Sequence, residues 1–239
     1  MHGGKEMIRY SCVMPIHKYN RFTSNAIGSV IKAIGDRKDI EFIILDDSDS
    51  DRITKGNLKL VKLPKMDLIN KLIIGTQIAK GEYYCNADYD DLAHPNKFEL
   101  FDKILKYNDI AGANNCVFYD VKTDKTYKLK DKLLTRKHLY RNETIEYPLV
   151  QHSNSAIPLK WLRSVGYDGG KKIGMTHSEG KVMTDSPIWA KASIDGLKFG
   201  FIEDWKKCWQ IITGENVNTY ESFGHLFDEI EVEKHEALL

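Results

Sequence analysis

Residues 81–99 read GEYYCNADYDDLAHPNKFE, and a strand, an acidic turn and a helix start follow one another within them. Gly81 can close a preceding helix. Tyr83, Tyr84 and Cys85 form a short run suited to a buried strand. Asn86, Asp88, Asp90 and Asp91 then gather at the carboxyl end of that strand. Pro95 can open a helix, whose apolar face is Phe98, Phe101, Ile104 and Leu105. Alternate strand residues share a face, so an Asp-x-Asp pair at a strand tip brings Asp88 and Asp90 to one side. Hard carboxylate oxygens so placed suit Mn²⁺ or Mg²⁺, ions usually shared with substrate phosphates.

The chain before this stretch repeats the strand–helix alternation. Ile8–Ile16 reads as a first strand that exits at Pro15, and Ala26, Ile27, Val30, Ile31 and Ile34 share a helical face that Gly35 can end. In EFIILDDSDSD, residues 41–51, Phe42 to Leu45 suit a fully buried parallel strand ending in Asp46-Asp47. Lys59–Leu63 reads as a third strand. Asp67 can cap a helix carrying Leu68, Leu72, Ile73 and Ala79. This order predicts an α/β domain with a mostly parallel sheet, whose ligands bind outside the carboxyl ends of the strands. There, Asp46 or Asp47 can accept a hydrogen bond from a base N–H or a ribose hydroxyl.

These stretches resemble family 2 glycosyltransferases of the GT-A fold. The family's metal region matches Ala79-Lys80-Gly81-Glu82-Tyr83-Tyr84, then Asp88-Tyr89-Asp90-Asp91, then Pro95-Asn96-Lys97-Phe98-Glu99. The resemblance implies that Asp88 meets the ribose or the metal and that Asp90 holds the metal against a diphosphate. Pro15, Asn20 and Arg21 match the loop that lies against the nucleotide. EFIILDDSDSD matches the strand whose aspartate pair reads the base, so the role falls to Asp46 or Asp47. Counting back from Gly81 puts Lys71 on a helix lysine that faces the diphosphate, with Ile73 where relatives carry asparagine. Gln151–Ala156 resembles the acceptor-side strand, with His152, Asn154 and Ser155 at the rim of the site.

Residues 169–183 are rich in glycine and charge and read as a loop able to close over substrate. Thr184-Asp185 after it resembles the family's helix start carrying the catalytic base, with Thr184 in place of the usual glutamate. Asp185 is the expected base and Glu179 the reserve. Asp185 also suits the N-cap of a helix over 186–194.

The resemblance implies one GT-A-like domain over 1–239. Residues 8–107 form its nucleotide-sugar and metal half, 108–204 its acceptor half and 205–239 a helical tail. In that tail Trp205 and Trp209 are expected on one helix face, and Leu226, Phe227, Ile230 and Val232 on a final helix. The implied reaction is metal-dependent, inverting transfer from a nucleoside diphosphate sugar, with a UDP-sugar favoured, to an acceptor hydroxyl.

Composition agrees with a folded α/β domain. The 239 residues are 42% hydrophobic and 29% charged, with a formal net charge of +1. That charge implies neither a nucleic-acid nor a membrane partner. No apolar run approaches the ~20 residues that span a bilayer, and MHGGKEM at the start lacks the apolar core of a signal peptide. Cys12, Cys85, Cys116 and Cys208 are scattered, as expected of reduced core cysteines in a cytoplasmic protein. Residues 122–141 hold eight basic side chains against Asp124 and Asp131. A solvated hairpin is the plain reading, and a DNA acceptor carrying a modified base is the alternative to a glycan or lipid-linked sugar. Two other classes stand beside the transferase. A nucleotidyltransferase would need a G-x-G-x-R loop that is absent near the first strand. A non-catalytic sugar-nucleotide or glycan-binding module would not need Asp185.

Overall fold

The computed structural model describes residues 7–49, 58–140, 143–167, 186–213 and 226–235. At its centre lies β1, Tyr10–Ile16, with every residue buried. It pairs in parallel with β2, Ile40–Asp46, in a register running from Tyr10↔Ile40 to Ile16↔Asp46. On its other side β1 pairs with β4, Tyr83–Asn86, from Tyr10↔Tyr83 to Val13↔Asn86. β3, Leu58–Lys62, extends the sheet beyond β2. Beyond β4 come β10, Ser155–Pro158, then β5, Ile110–Gly112, and β11, Phe199–Phe201. The order is β11-β5-β10-β4-β1-β2-β3, and β10 alone runs against its neighbours. The expected mostly parallel sheet is thus present, and strands from both halves of the chain build it.

Residues alternate between two cores, as the two-residue period of a strand requires. Cys12, Met14, Phe42 and Ile44 face one layer. There they meet Ala26 and Val30 of α1, Thr23–Ile34, and Phe98 and Phe101 of α3, Lys97–Ile104. Val13, Ile43 and Leu45 face the other. They meet Leu72 of α2, Leu68–Ile78, Leu162 of α4, Leu159–Val165, and Trp189 of α5, Ser186–Ile194. Asp67 caps α2 as expected, accepting from the Asn70 N–H at 2.7 Å. Gly35 closes α1 at φ 55°. Pro15 is tolerated inside the central strand because β4 pairing stops at Val13, so no partner needs the N–H that proline lacks.

Several local expectations are corrected. Gly81 is not a left-handed helix cap: α2 ends at Ile78 and Ala79 caps it. A Cβ on Gly81 would meet the Ser11 nitrogen at 2.6 Å and the Tyr10 carbonyl carbon at 2.8 Å, so its glycine is set by close backbone approach. α3 starts at Lys97, with Asn96 rather than Pro95 at its N-cap. β5 is followed by β6, Val117–Asp120, which lies outside the main sheet. β6 belongs to a second sheet, ordered β12-β6-β7-β13. β7 is Lys125–Leu129, β12 is Trp209–Ile212 and β13 is Phe227–Ile230. Within the described part of 205–239 the expected helical tail is therefore absent. Trp205 lies in a 3-10 turn, Trp209 in β12, and Phe227 and Ile230 in β13. The basic stretch folds as expected into antiparallel strands. One pair is β6 with β7, and another is β8, Thr135–Tyr140, with β9, Glu143–Pro148. Among the described residues no helix is long and apolar enough to cross a membrane.

Candidate active site at the carboxyl ends of the strands

β4 ends at Asn86, so Asp88, Asp90 and Asp91 lie in a turn rather than on the strand. Strand alternation therefore does not place them. The second sheet does, through β12. Leu92 and Trp209 exchange backbone hydrogen bonds of 2.9 and 3.2 Å. The Ile211 N–H donates to Asp91 at 3.2 Å. Asp91 is thereby turned inward and buried, while the Asp88 side chain remains 27% exposed. Burial pushes the Asp91 carboxyl well above the usual carboxylate range, and the neighbouring Asp88 and Asp90 push it the same way. The three carboxyl groups thus share one small region.

His152 reaches this turn from a 3-10 turn over His152–Asn154, its Nδ1 3.3 Å from Asp88 Oδ1. Asn154 and Ser155, expected beside it at the rim, are instead fully buried. The Ser155 hydroxyl accepts from the Asn86 amide at 3.2 Å and donates to the His152 carbonyl at 2.8 Å. They brace the His152 turn from behind.

The ends of β1 and β2 form a second cluster. Asp47 is buried, with Lys71 Nζ 2.6 Å from its Oδ1 and the Met66 N–H donating to Oδ2 at 3.0 Å. Burial by itself would raise the Asp47 carboxyl. Lys71, the Met66 N–H and His17 outweigh it and hold the group below its ordinary value. Lys71 also donates to the Ile16 carbonyl at 3.0 Å. Its ammonium is spent inside the protein, against the expectation that it faces a diphosphate. Asp46 is equally engaged, with Lys62 Nζ 2.7 Å from Oδ2 and the Ser48 N–H donating to Oδ1 at 2.8 Å.

Next to Asp47 opens a hollow of about 360 Å³, lined by His17, Lys18, Tyr19, Ser48, Asp49 and Lys65. His17 Nδ1 stands 3.2 Å from Asp47 Oδ1, with its side chain 65% exposed. His17, Lys18 and Tyr19 stand between the matched Pro15 and Asn20, and only that position marks them in the sequence. The loop is long enough that the matched pair has moved past the hollow. Asn20 instead closes the turn that enters α1: its Oδ1 accepts from the Phe22 and Thr23 N–H groups at 2.8 and 3.1 Å, and Thr23 Oγ1 accepts from the Asn20 N–H at 3.0 Å. Arg21 lies over the Phe22 ring, 4.6 Å from its centroid, beside a separate hollow of about 260 Å³. Pro15 is buried in β1.

Asp185 and Glu179, the expected base and its reserve, lie outside the described residues, as does the closing loop over 169–183. Three lysines of the basic stretch are paired with carboxylates. Lys125 pairs with Glu229 at 2.8 Å, Lys128 with Asp131 at 2.9 Å and Lys137 with Glu146 at 3.1 Å. Glu229 lies 104 residues from Lys125, so no window of sequence reveals that pair.

Among the described residues no three His, Cys, Asp or Glu side chains are grouped to hold a metal ion. Asp88 and Asp90 carry hard carboxylate oxygens, the type of group that holds Mg²⁺ or Mn²⁺ together with substrate phosphates. The Asp88 side chain, 27% exposed, is the part of the turn open to such an ion.

The family model described as glycosyl transferase family 2 matches residues 11–166. No curated protein matches the chain by sequence. The crystal structure of S. aureus TarS 1-349 in complex with UDP-GlcNAc matches with a TM-score of 0.59 at 12% identity, covering 91% of this chain and 64% of that one. TarS 1-349 without that complex gives 0.58 at 13% identity, covering 85% and 60%. The complex with UDP gives 0.57 at 12% identity, covering 91% and 63%. The chain thus spans less than two thirds of the length of these structures. At such identity the likeness shows the fold, which is GT-A.

Proposed function

Because the chain belongs to glycosyl transferase family 2, we propose that it moves a sugar from a nucleoside diphosphate donor to an acceptor hydroxyl. One observation carries this reading: the hollow beside Asp47 and the turn led by Asp88 both lie at the carboxyl ends of parallel strands. A UDP-sugar is the favoured donor, in keeping with the UDP-GlcNAc and UDP complexes of the structurally similar TarS.

The hollow takes the nucleoside. Asp47 is held as a carboxylate and can only accept, so the His17 Nδ1 carries the hydrogen that faces it. In the uncharged ring Nε2 is then an acceptor, suited to the imide N–H of uracil. Asp47 therefore acts through His17, while Lys71 keeps Asp47 charged. Lys18 and Lys65 supply positive charge along the same wall. Asp88 and Asp90 hold Mn²⁺ or Mg²⁺ together with the donor diphosphate, and His152 fixes the direction of the Asp88 carboxylate. When bound, the ion offsets charge developing on the leaving phosphate. Asp185 takes the proton of the acceptor hydroxyl, with Glu179 in reserve, and in-line attack inverts the anomeric carbon. The acceptor is a glycan or lipid-linked sugar rather than DNA, in keeping with the paired lysines of β7 and β8.

The test is thermal stability against nucleoside diphosphates and nucleotide sugars, with and without Mn²⁺. A ligand that binds the folded state raises the melting temperature. UDP and a UDP-sugar should do so in a metal-dependent way, and Asp88→Asn should remove the metal dependence. No shift with any nucleotide would end the donor-site reading.

A further inference from the structure

The acidic turn is followed by a buried charge that the reaction does not use. Lys97, at the first position of α3, is fully buried. Its ammonium donates to the Asn86 carbonyl at 2.8 Å and to the Ser153 carbonyl at 2.7 Å. The Phe98 and Phe101 ring centroids lie 6.0 and 5.8 Å away. Among the described residues it forms no ion pair. Taking an ammonium out of water is costly, and α3 has no evident need of a charge at a position walled by two phenylalanines. The two carbonyls it joins are informative. Asn86 ends β4, two residues before Asp88, and Ser153 directly follows His152. The Ser153 hydroxyl in turn bonds Asp91. One ammonium thus ties the segment that carries the carboxylates to the segment that carries the histidine, and Asp88 and His152 meet at 3.3 Å across that tie.

We propose that Lys97 is a positioning residue for the donor site: it sets the spacing between the Asp88 turn and the His152 turn, a role that rests on the donor site proposed above. It touches neither donor nor acceptor. It acts through the backbone of the two turns, by its bonds to the Asn86 and Ser153 carbonyls. Loss of the tie should loosen Asp88 against His152 and weaken binding of a metal–diphosphate unit. Acceptor binding should be untouched.

The experiment measures calorimetric binding of UDP with Mn²⁺ to wild type, Lys97→Met and Lys97→Arg, with donor and acceptor KM measured beside it. Lys97→Met should remain folded by circular dichroism and bind Mn²⁺–UDP about tenfold or more weakly, the range typical of groups that orient metal ligands. Donor KM should rise with acceptor KM unchanged, and Lys97→Arg, which keeps the charge, should recover most of the affinity. A folded Lys97→Met that binds Mn²⁺–UDP like wild type overturns the assignment, even if its melting temperature falls. If Lys97→Met does not fold, Lys97→Gln replaces it, with the same supporting and overturning results. Failure of wild type itself to bind Mn²⁺–UDP would overturn the donor site and the Lys97 role together. Equal binding by wild type and variant would overturn the Lys97 role alone.

Discussion

Lys71 and Asp47 show what burial does to a lysine that sequence alone places on a binding surface. Their side chains are 2% and 0% exposed and 2.6 Å apart. Removing one partner leaves the other charged and dry, which typically costs about 3–5 kcal/mol. Lys71→Met and Asp47→Asn should each lose stability on that order in urea denaturation, and the double variant should lose less than the sum. The pH dependence has a definite sign. Asp47 is lowered in the folded state, so its contribution is complete above the ordinary carboxylate value near ~4. It is lost as pH falls through the lowered folded value. Wild type should therefore lose more stability below about pH 4 than Asp47→Asn does. Asn20 presents the opposite case, a matched binding residue whose bonds close the turn before α1. Asn20→Ala should cost about 0.5–1.5 kcal/mol and leave UDP affinity unaltered. A large loss of UDP affinity would return Asn20 to the nucleotide.

At the scale of elements, two packings hold the site. α2 lies so close to the sheet that a Cβ on Gly75 would meet the Tyr84 hydroxyl at 2.7 Å and Val13 Cγ1 at 2.9 Å. Gly75→Ala should thus destabilise, by about 1–3 kcal/mol as overpacked cores do, despite the better helix propensity of alanine. A denaturation midpoint at or above wild type would show that α2 can shift outward. The other packing is β12 against the acidic turn. Asp91 and Ile211 bond across 120 residues of chain. Sequence periodicity reads Trp205 and Trp209 as one helix face because they stand four apart. In the fold Trp209 is a strand residue, and its backbone exchanges hydrogen bonds with Leu92. Short polar-flanked strands of this kind carry little local signal, since their identity depends on the partner they find.

For the whole molecule, the reaction is tested by Asp185→Asn. Transfer should fall by about 10²–10⁴, while calorimetry should show UDP-sugar binding unchanged. Full turnover would move the base to Glu179. The acceptor is tested by salt: a DNA-binding face loses affinity steeply as salt rises. With Lys125, Lys128 and Lys137 already paired to carboxylates, DNA binding should be weak or absent at physiological ionic strength. Tight, salt-sensitive binding would reinstate a DNA acceptor.

The sequence by itself determined the parallel centre of the sheet and the edge where the candidate site lies. The buried runs Cys12–Ile16 and Phe42–Leu45 must form strands covered on both faces, and their acidic ends must fall together at one edge of a parallel sheet. These are local properties, set by hydrophobicity and period. Tertiary structure decided what each charged side chain does there. Of three aspartates in one turn, Asp91 faces inward because β12 offers it the Ile211 N–H, and Asp88 stays outward beside His152. Lys71 serves Asp47 instead of solvent, and Glu229, which neutralises Lys125, comes from a remote part of the chain. A carboxylate or ammonium is fixed by its partners and by its distance from water, and both are set only when distant segments pack.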